Sequence, residues 1–300
     1  VLDAGDVDVH GIEFNADVIL RGGSLATDAD YVHVQNGATM TLDGVRWQEN
    51  SRHVAISSGV GDSGALTVRD GASIDATSWF NVTQNGGTGI LTISDGGVMT
   101  TARGVGIGDG SGSAGTVTVT DSGSTLTVDG TDGGAIVLGS DGGSGTLTIE
   151  AGAEVIGSSV KAGFGAGGNG VVTVAGSGSL LTALGSNPHF FVGEQGMGTL
   201  SILDGAKVST GPMLIGVHPD SRGIVTVTGS GSVLATEGPE SAITVGDDGV
   251  GELTTASDAD VSTERVIVGH GASGHGTVTV TGSGSSLTTV GTDNTPTLVP

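Results

Sequence analysis

Four carboxylates recur near the same point of successive sequence units: Asp70, Asp95, Asp121 and Glu150. Stacked one unit above the next, neighbours would stand about 5 Å apart, near the ~5–5.5 Å separation of the carboxyl pair in a retaining glycosidase. Oxygen ligands in turns would also suit a weakly held Ca²⁺. A plainer reading competes with both. Asp70 and Asp95 each precede Gly, and Asp before Gly is a usual turn pairing because Asp hydrogen-bonds its own backbone and tolerates the turn. These carboxylates also follow the repeat, whereas an active site is expected to interrupt it. We therefore expect turn residues, with no catalytic group and no cofactor, Ca²⁺ remaining the minor alternative.

Histidines offer a second chemistry. Asp247 and His270 follow equivalent glycines in adjacent units, Glu194 holds the same place two units before Asp247, and His275 shares the loop of His270. A transition-metal site can be drawn from these, but no Cys supports it and solvated surface histidines are the expectation. Gly163 to Gly168 spell GxGxxG. A dinucleotide site needs a helix next, and Val171-Val172-Thr173-Val174 reads as a strand. The clearest interaction residues lie where regularity breaks. Tyr31, His33, Arg46, Trp47, Arg52 and His53 cluster in an irregular start; aromatic and Arg anchors are typical of interfaces. Trp79 and Phe80 stand where other units carry small aliphatics, and two roles are open to them: a core plug or an interface anchor.

Composition narrows the partners. The 300 residues carry 9 Lys plus Arg against 32 Asp plus Glu, a net charge of −23. Such a chain lacks the basic footprint that nucleic acid or an anionic lipid surface requires. No apolar run is long enough to span a membrane, so direct membrane insertion is not expected. Gly occurs 59 times without a three-residue period, which excludes collagen. That glycine excess and the small number of aromatics, eight in all, argue against an ordinary globular core.

The elements that must hold these side chains come from a repeat. Units open with Gly and a short strand at Gly64, Gly89, Gly115, Gly145, Gly170, Gly198, Gly223, Gly251 and Gly276, at intervals of 25 to 30 residues. Each has three apolar stations. The first alternates, as in Leu66/Val68 and Val117/Val119, with Thr or Ser between; period two means a half-buried strand. The second falls ten or eleven residues after the Gly, from Ile74 to Leu287. The third precedes another Gly, at Ile107, Leu138, Phe164, Val192, Ile215, Val245 and Val268. From Gly89 onward the ten- and eleven-residue types alternate, giving a two-unit period. Such a unit cannot close its own core, and stacking solves that.

The expected fold is all-β: a right-handed parallel β-helix with three short strands per coil of about 25–30 residues. Glycine would supply positive φ at its corners. Residues 64–300 form the regular repeats and 1–63 irregular first coils or a cap. The last unit stops inside a third station, so the native protein is expected to continue past Pro300. Threonine columns on the outer face suit a pleated surface, with ordered water or a second rod as alternative partners.

The units GTVTVTGSGSSLTTVG at 276–291, GIVTVTGSGSVLATEG at 223–238 and GTLSILDGAKVSTG at 198–211 resemble the repeats of type V autotransporter passengers. Similar units occur in some PEP-CTERM surface proteins. The resemblance covers about 64–300. It implies export through the bacterial outer membrane and display at the cell surface, with a membrane anchor in the full-length protein. It further implies a non-enzymatic adhesin that attaches to a host-cell or matrix component, or to itself, through a side face. A structural stalk is the runner-up, and a carbohydrate-active β-helix enzyme stands behind both.

Overall fold

The computed structural model describes residues 2–3, 7–9, 12–28, 31–51, 53–130, 134–185, 189–238 and 241–290. Its regular elements are all short strands, in three sheets of twelve, twelve and eleven members. Each strand pairs in parallel with its equivalent one coil on, as Ser63–Arg69, Ser73–Ala76 and Trp79–Asn81 do with Thr88–Ile93, Val98–Thr101 and Gly104–Asp109. Each of the first eleven coils thus gives one strand to each sheet, and the twelfth gives one to each of the first two among the described residues, in the expected parallel β-helix. At the ~4.8 Å spacing of paired strands, twelve coils rise roughly 50 Å.

The solenoid starts well before Gly64. Leu2 pairs with Leu20, Leu20 with Leu42 and Leu42 with Val68, so the first steps are 18, 22 and 26 residues. Where residues 1–63 are described, they form coils of the same three sheets. Their corners are shorter, and Ala38 stands in the column that is glycine from Gly64 onward.

Alternation explains the core. Residues of one parity point inward and stack on their equivalents, as in Met40, Leu66, Leu91, Val117 and Leu147 on the first sheet. All five are buried. The other parity puts Thr41, Thr67, Thr92, Thr118, Thr148, Thr173, Ser201, Thr226, Thr254 and Thr279 in one unbroken outer column. The third station needs one correction. In the coil after Gly145 it ends at Ala162, which pairs with Val192, and the corner is Gly163 at φ 71°. Phe164 therefore lies two residues beyond the core. Alanine is a weak apolar signal beside phenylalanine, and both precede a glycine, so the pattern pointed to the wrong one.

Two kinds of glycine turn the corners. Those at the end of the third strand have left-handed backbone, as at Gly139 with φ 63°, where a side chain costs conformational energy. The unit-opening glycines have ordinary φ and are needed for another reason. A Cβ on Gly89 would overlap the Val82 carbonyl oxygen, which the preceding corner presses against it. Positive φ thus explains only half of the glycine columns.

The two-unit period has a hydrogen-bonded cause. The last Ser of each eleven-residue turn reaches back to the ten-residue turn one coil earlier. Gly96 N–H donates to Ser124 Oγ at 3.1 Å, Gly152 N–H to Ser179 Oγ at 3.0 Å, Gly205 N–H to Ser232 Oγ at 3.0 Å and Asp258 N–H to Ser285 Oγ at 3.1 Å. Ser179 and Ser232 in turn donate to the carbonyls of Ala175 and Thr228. A turn with a spare amide thus alternates with a turn that supplies the acceptor. The second-to-third corner is lined inside by a polar column absent from the three-station pattern. There Thr101 Oγ1 donates to Ser78 O at 2.7 Å, and Thr236 Oγ1 to Thr263 Oγ1 at 2.8 Å.

Candidate functional site

The third sheet differs chemically from the other two. Tyr31, Trp79, Phe164 and Phe191, the aromatic rings that look outward among the described residues, all lie on its side, while Phe80 and Phe190 point inward and are buried. The Trp79-Phe80 pair is therefore split by strand alternation: Phe80 plugs the core, and Trp79 keeps 38% of its surface exposed. Three of the expected interaction residues meet here. The rings of Tyr31 and His33 lie 5.1 Å apart, and His33 meets His53 edge-on at 6.2 Å. His53 Nε2 lies 2.5 Å from Gln84 Nε2.

The other three do not join them. Trp47 is only 1% exposed; it fills the second sheet's inner column above Leu25 and donates Nε1–H to Thr27 Oγ1 at 2.9 Å. Its position in the alternation sends it inward, so it is a core residue and not part of a surface. Arg46, one residue earlier, faces out on the second sheet and pairs with Asp75 at 3.6 Å. Arg52 lies outside the described residues.

Next to His53 the third sheet carries a cleft of about 460 Å³. The register shows how it is made. One outward column reads Ala55, Asn81, Gly106, Val137 and Lys161. Gly106, next to Asn81 in that column, leaves a trough between bulkier neighbours. A Cβ on Gly106 would stand 2.5 Å from Asn81 Oδ1. The adjacent column pairs Trp79 with Gly104 and then Ala135, and a Cβ on Gly104 would strike the indole at 2.6 Å. Trp79 lies over Gly104 and borders the trough on one side together with Arg103; Gln84, just past its strand, and Asp109 and Ser140, the last residues of theirs, border the other. Phe164 closes the end opposite His53. Spacing rules aimed at apolar stations passed over this site, because its mark is missing side chains on an outward column.

Beyond Phe164 the face becomes a packed cluster. Lys161 Nζ sits 4.5 Å from the Phe164 ring centre and 5.4 Å from that of Phe191, which stacks on His189 at 5.5 Å. Lys161 also lies 3.7 Å from Glu194. Burial pushes the Glu194 carboxyl above its ordinary value, against the opposing pull of Lys161 and His218. Burial and the neighbouring His53 lower the pKa of His33, while Glu13 and Asp62 pull it the other way.

The remaining chemical candidates resolve into structure. Asp70, Asp95 and Asp121 occupy left-handed turns, with φ of 53°, 49° and 74°, the role expected of them. Asp247 and His270 do meet, Oδ1 to Nδ1 at 2.6 Å, on an exposed corner. Among the described residues no three His, Asp or Glu side chains gather as metal ligands would. The GxGxxG run leads into the strand Asn169–Ala175, not a helix.

No family model matches the chain. It is 30% identical over 153 residues to the uncharacterized lipoprotein YdeK of Escherichia coli (strain K12), a match that takes in 50% of this chain and 11% of that protein. The chain thus spans about a tenth of that relative's length. Among solved structures it is similar to the TibC-catalyzed hyper-glycosylated fragment of TibA, at 18% identity and a TM-score of 0.37, with 95% of this chain and 97% of the other covered.

Proposed function

We propose that this chain is a segment of a bacterial surface rod of the autotransporter-passenger kind. In this reading it is a non-enzymatic adhesin that attaches to a host-cell or matrix component, or to a second copy, through one side face. The observation that carries the reading is the segregation of the outward aromatics, with His33, His53 and His189 beside them, onto the third sheet, while the first sheet presents a uniform hydroxyl column. Large amphipathic rings are enriched at binding surfaces, and a rod with no other task has no reason to confine them to one face. A lipoprotein among its relatives supports a place in the cell envelope. The cleft's lining carries a single carboxylate, Asp109, which suits binding better than two-carboxylate glycoside hydrolysis.

Purified chain, fluorescently labelled, should bind cultured epithelial cells or matrix-coated wells, or show a mass that rises with concentration in sedimentation. Replacing Tyr31, Trp79 and Phe191 together by Ser should abolish that binding, while replacing Thr118, Thr148 and Thr173 by Ser should leave it intact. A monomer that binds no surface, or equal loss from both sets, overturns the adhesin reading. The uninterrupted register favours a stalk as the second reading. In that case an unrelated β-helix of equal length should replace residues 64–290 without loss of attachment by the full-length protein.

A further inference from the structure

We infer that the cleft beside Trp79 is a binding site for a neutral oligosaccharide. The inference deepens the adhesin reading and rests on it for its biological role, but its physical basis lies in the cleft alone. The trough runs over five successive coils, from His53 to Phe164, about 19 Å at the strand spacing of a sheet. That length suits a chain of sugars better than a single one.

The lining selects the ligand class. Trp79 offers a half-exposed flat ring, the kind of surface on which the C–H face of a pyranose stacks. Around it stand the planar groups of Asn81, Gln84 and Asp109, which together supply donors and acceptors in the paired arrangement that vicinal hydroxyls need. A purely apolar ligand would bury those groups without partners, at a cost of several kcal/mol. A polyanion would meet a chain of net charge −23 and a lining whose guanidinium, Arg103, is balanced by Asp109. A peptide added as an extra strand has no edge here, because the third-sheet strands between Ile12 and Val268 are paired with the coils on both sides. A neutral saccharide satisfies every one of these groups.

One glycine gives the cleft the character of a built site. Gly104 leaves room for the indole and for the Ala135 carbonyl, whereas Gly106 leaves room for the Asn81 amide alone and has no left-handed φ to force glycine there. Glycine inside a strand weakens it, and the next coil carries Val137 in the same column as Gly106.

The test is a glycan array of neutral and acidic oligosaccharides probed with the whole chain, followed by titration of any hit. Three variants are compared: Trp79→Ala, Trp79→Phe and Gly106→Val. The wild type should bind one or a few neutral glycans. Trp79→Ala should weaken binding about tenfold or more, Trp79→Phe should recover most of it, and Gly106→Val should abolish it with an unchanged or higher melting temperature. If Gly106→Val does not fold, the Trp79 pair decides alone, since an exposed ring is dispensable for folding. A blank array overturns the inference; so do a glycan whose affinity neither Trp79→Ala nor Gly106→Val alters, and binding restricted to acidic glycans that salt removes. Cell attachment measured in parallel separates the two claims. Attachment with a blank array leaves the adhesin reading standing and removes the cleft; an array hit without attachment does the reverse.

Discussion

Phe190→Ala should open the rod locally and leave its distant coils closed. The ring is fully buried, stacked between Val160 below and Met213 above in the third sheet's inner column. Truncating a buried Phe costs about 3–5 kcal/mol, the cost growing with the cavity that remains. Collapse is restricted here, because the backbones above and below are held at strand spacing by ladder hydrogen bonds. About 4 kcal/mol is therefore the expected figure, and at 1.4 kcal/mol per factor of ten it raises the local opening constant about a thousandfold.

In a solenoid each coil touches only its neighbours, so stability is a sum of coil and interface terms. Hydrogen exchange read by mass spectrometry should show that thousandfold loss of protection in Ser159–Ala162, Phe190–Val192 and Met213–Ile215. Protection in Ser63–Arg69 and Thr88–Ile93 should be unchanged. Phe190→Leu should cost only about 1 kcal/mol. Equal loss along the whole chain would mean that the rod unfolds as one cooperative unit. Less than a tenfold change anywhere would mean that the inner column is not packed as described.

Three further outcomes are expected. Ser232→Ala removes the acceptor of the Gly205 amide and should speed exchange there by about 1–2 kcal/mol of opening energy, whereas Ser230→Ala, on an exposed bond to Asp258, should stay within about 0.5 kcal/mol. Burial raises the pKa of Glu49 above its reference of 4.5, so its contribution is greatest below that value and is lost as pH rises through the raised one; Glu49→Gln should remove this slope from melts run between pH 4 and 8 and raise the neutral-pH midpoint. His33 has the opposite sign: its lowered pKa means that stability near the first coils falls as pH drops below the reference of 6.5, and an NMR titration should find it ionising at lower pH than a free imidazole.

How much of this could be read from the chain differs by level. The repeat-opening glycines and the Val/Leu/Ile alternation after them were legible, because strand parity and stacking leave few other ways to bury those residues. The alternating turns could be seen as a spacing rule, but not as a bond. Nothing in the spacing of Ser179 shows that its hydroxyl meets the amide of Gly152, because that contact links turns a full coil apart. Trp47 was misplaced because the short first coils, of 18 and 22 residues, hide the phase that decides which side chains point inward. Tyr31, His33 and His53 share a face because all three lie in or beside third-sheet strands, Val32–Val34 and Val54–Ala55, whose phase the irregular start concealed.

The cleft was the hardest feature to read, and the reason is geometric. In a parallel β-helix every outward residue stands one strand spacing from its equivalent above and below, so identical coils make a flat wall. A bulky residue added to that wall creates a knob, which stands out in sequence as an aromatic. A hollow of ligand size requires atoms to be removed from neighbouring coils, and that leaves only small residues at positions where no corner demands them. Gly106, between Asn81 and Val137 on the outward column, is such a residue. The corner glycines, by contrast, are accounted for by φ or by a neighbouring carbonyl. Subtracting them from a solenoid's glycine pattern leaves the ones that backbone geometry does not require. On this face Gly106, whose Cβ would meet only the Asn81 side chain, is such a residue, and it lines the cleft beside Trp79, which is where a ligand-binding role gives it a reason to be there.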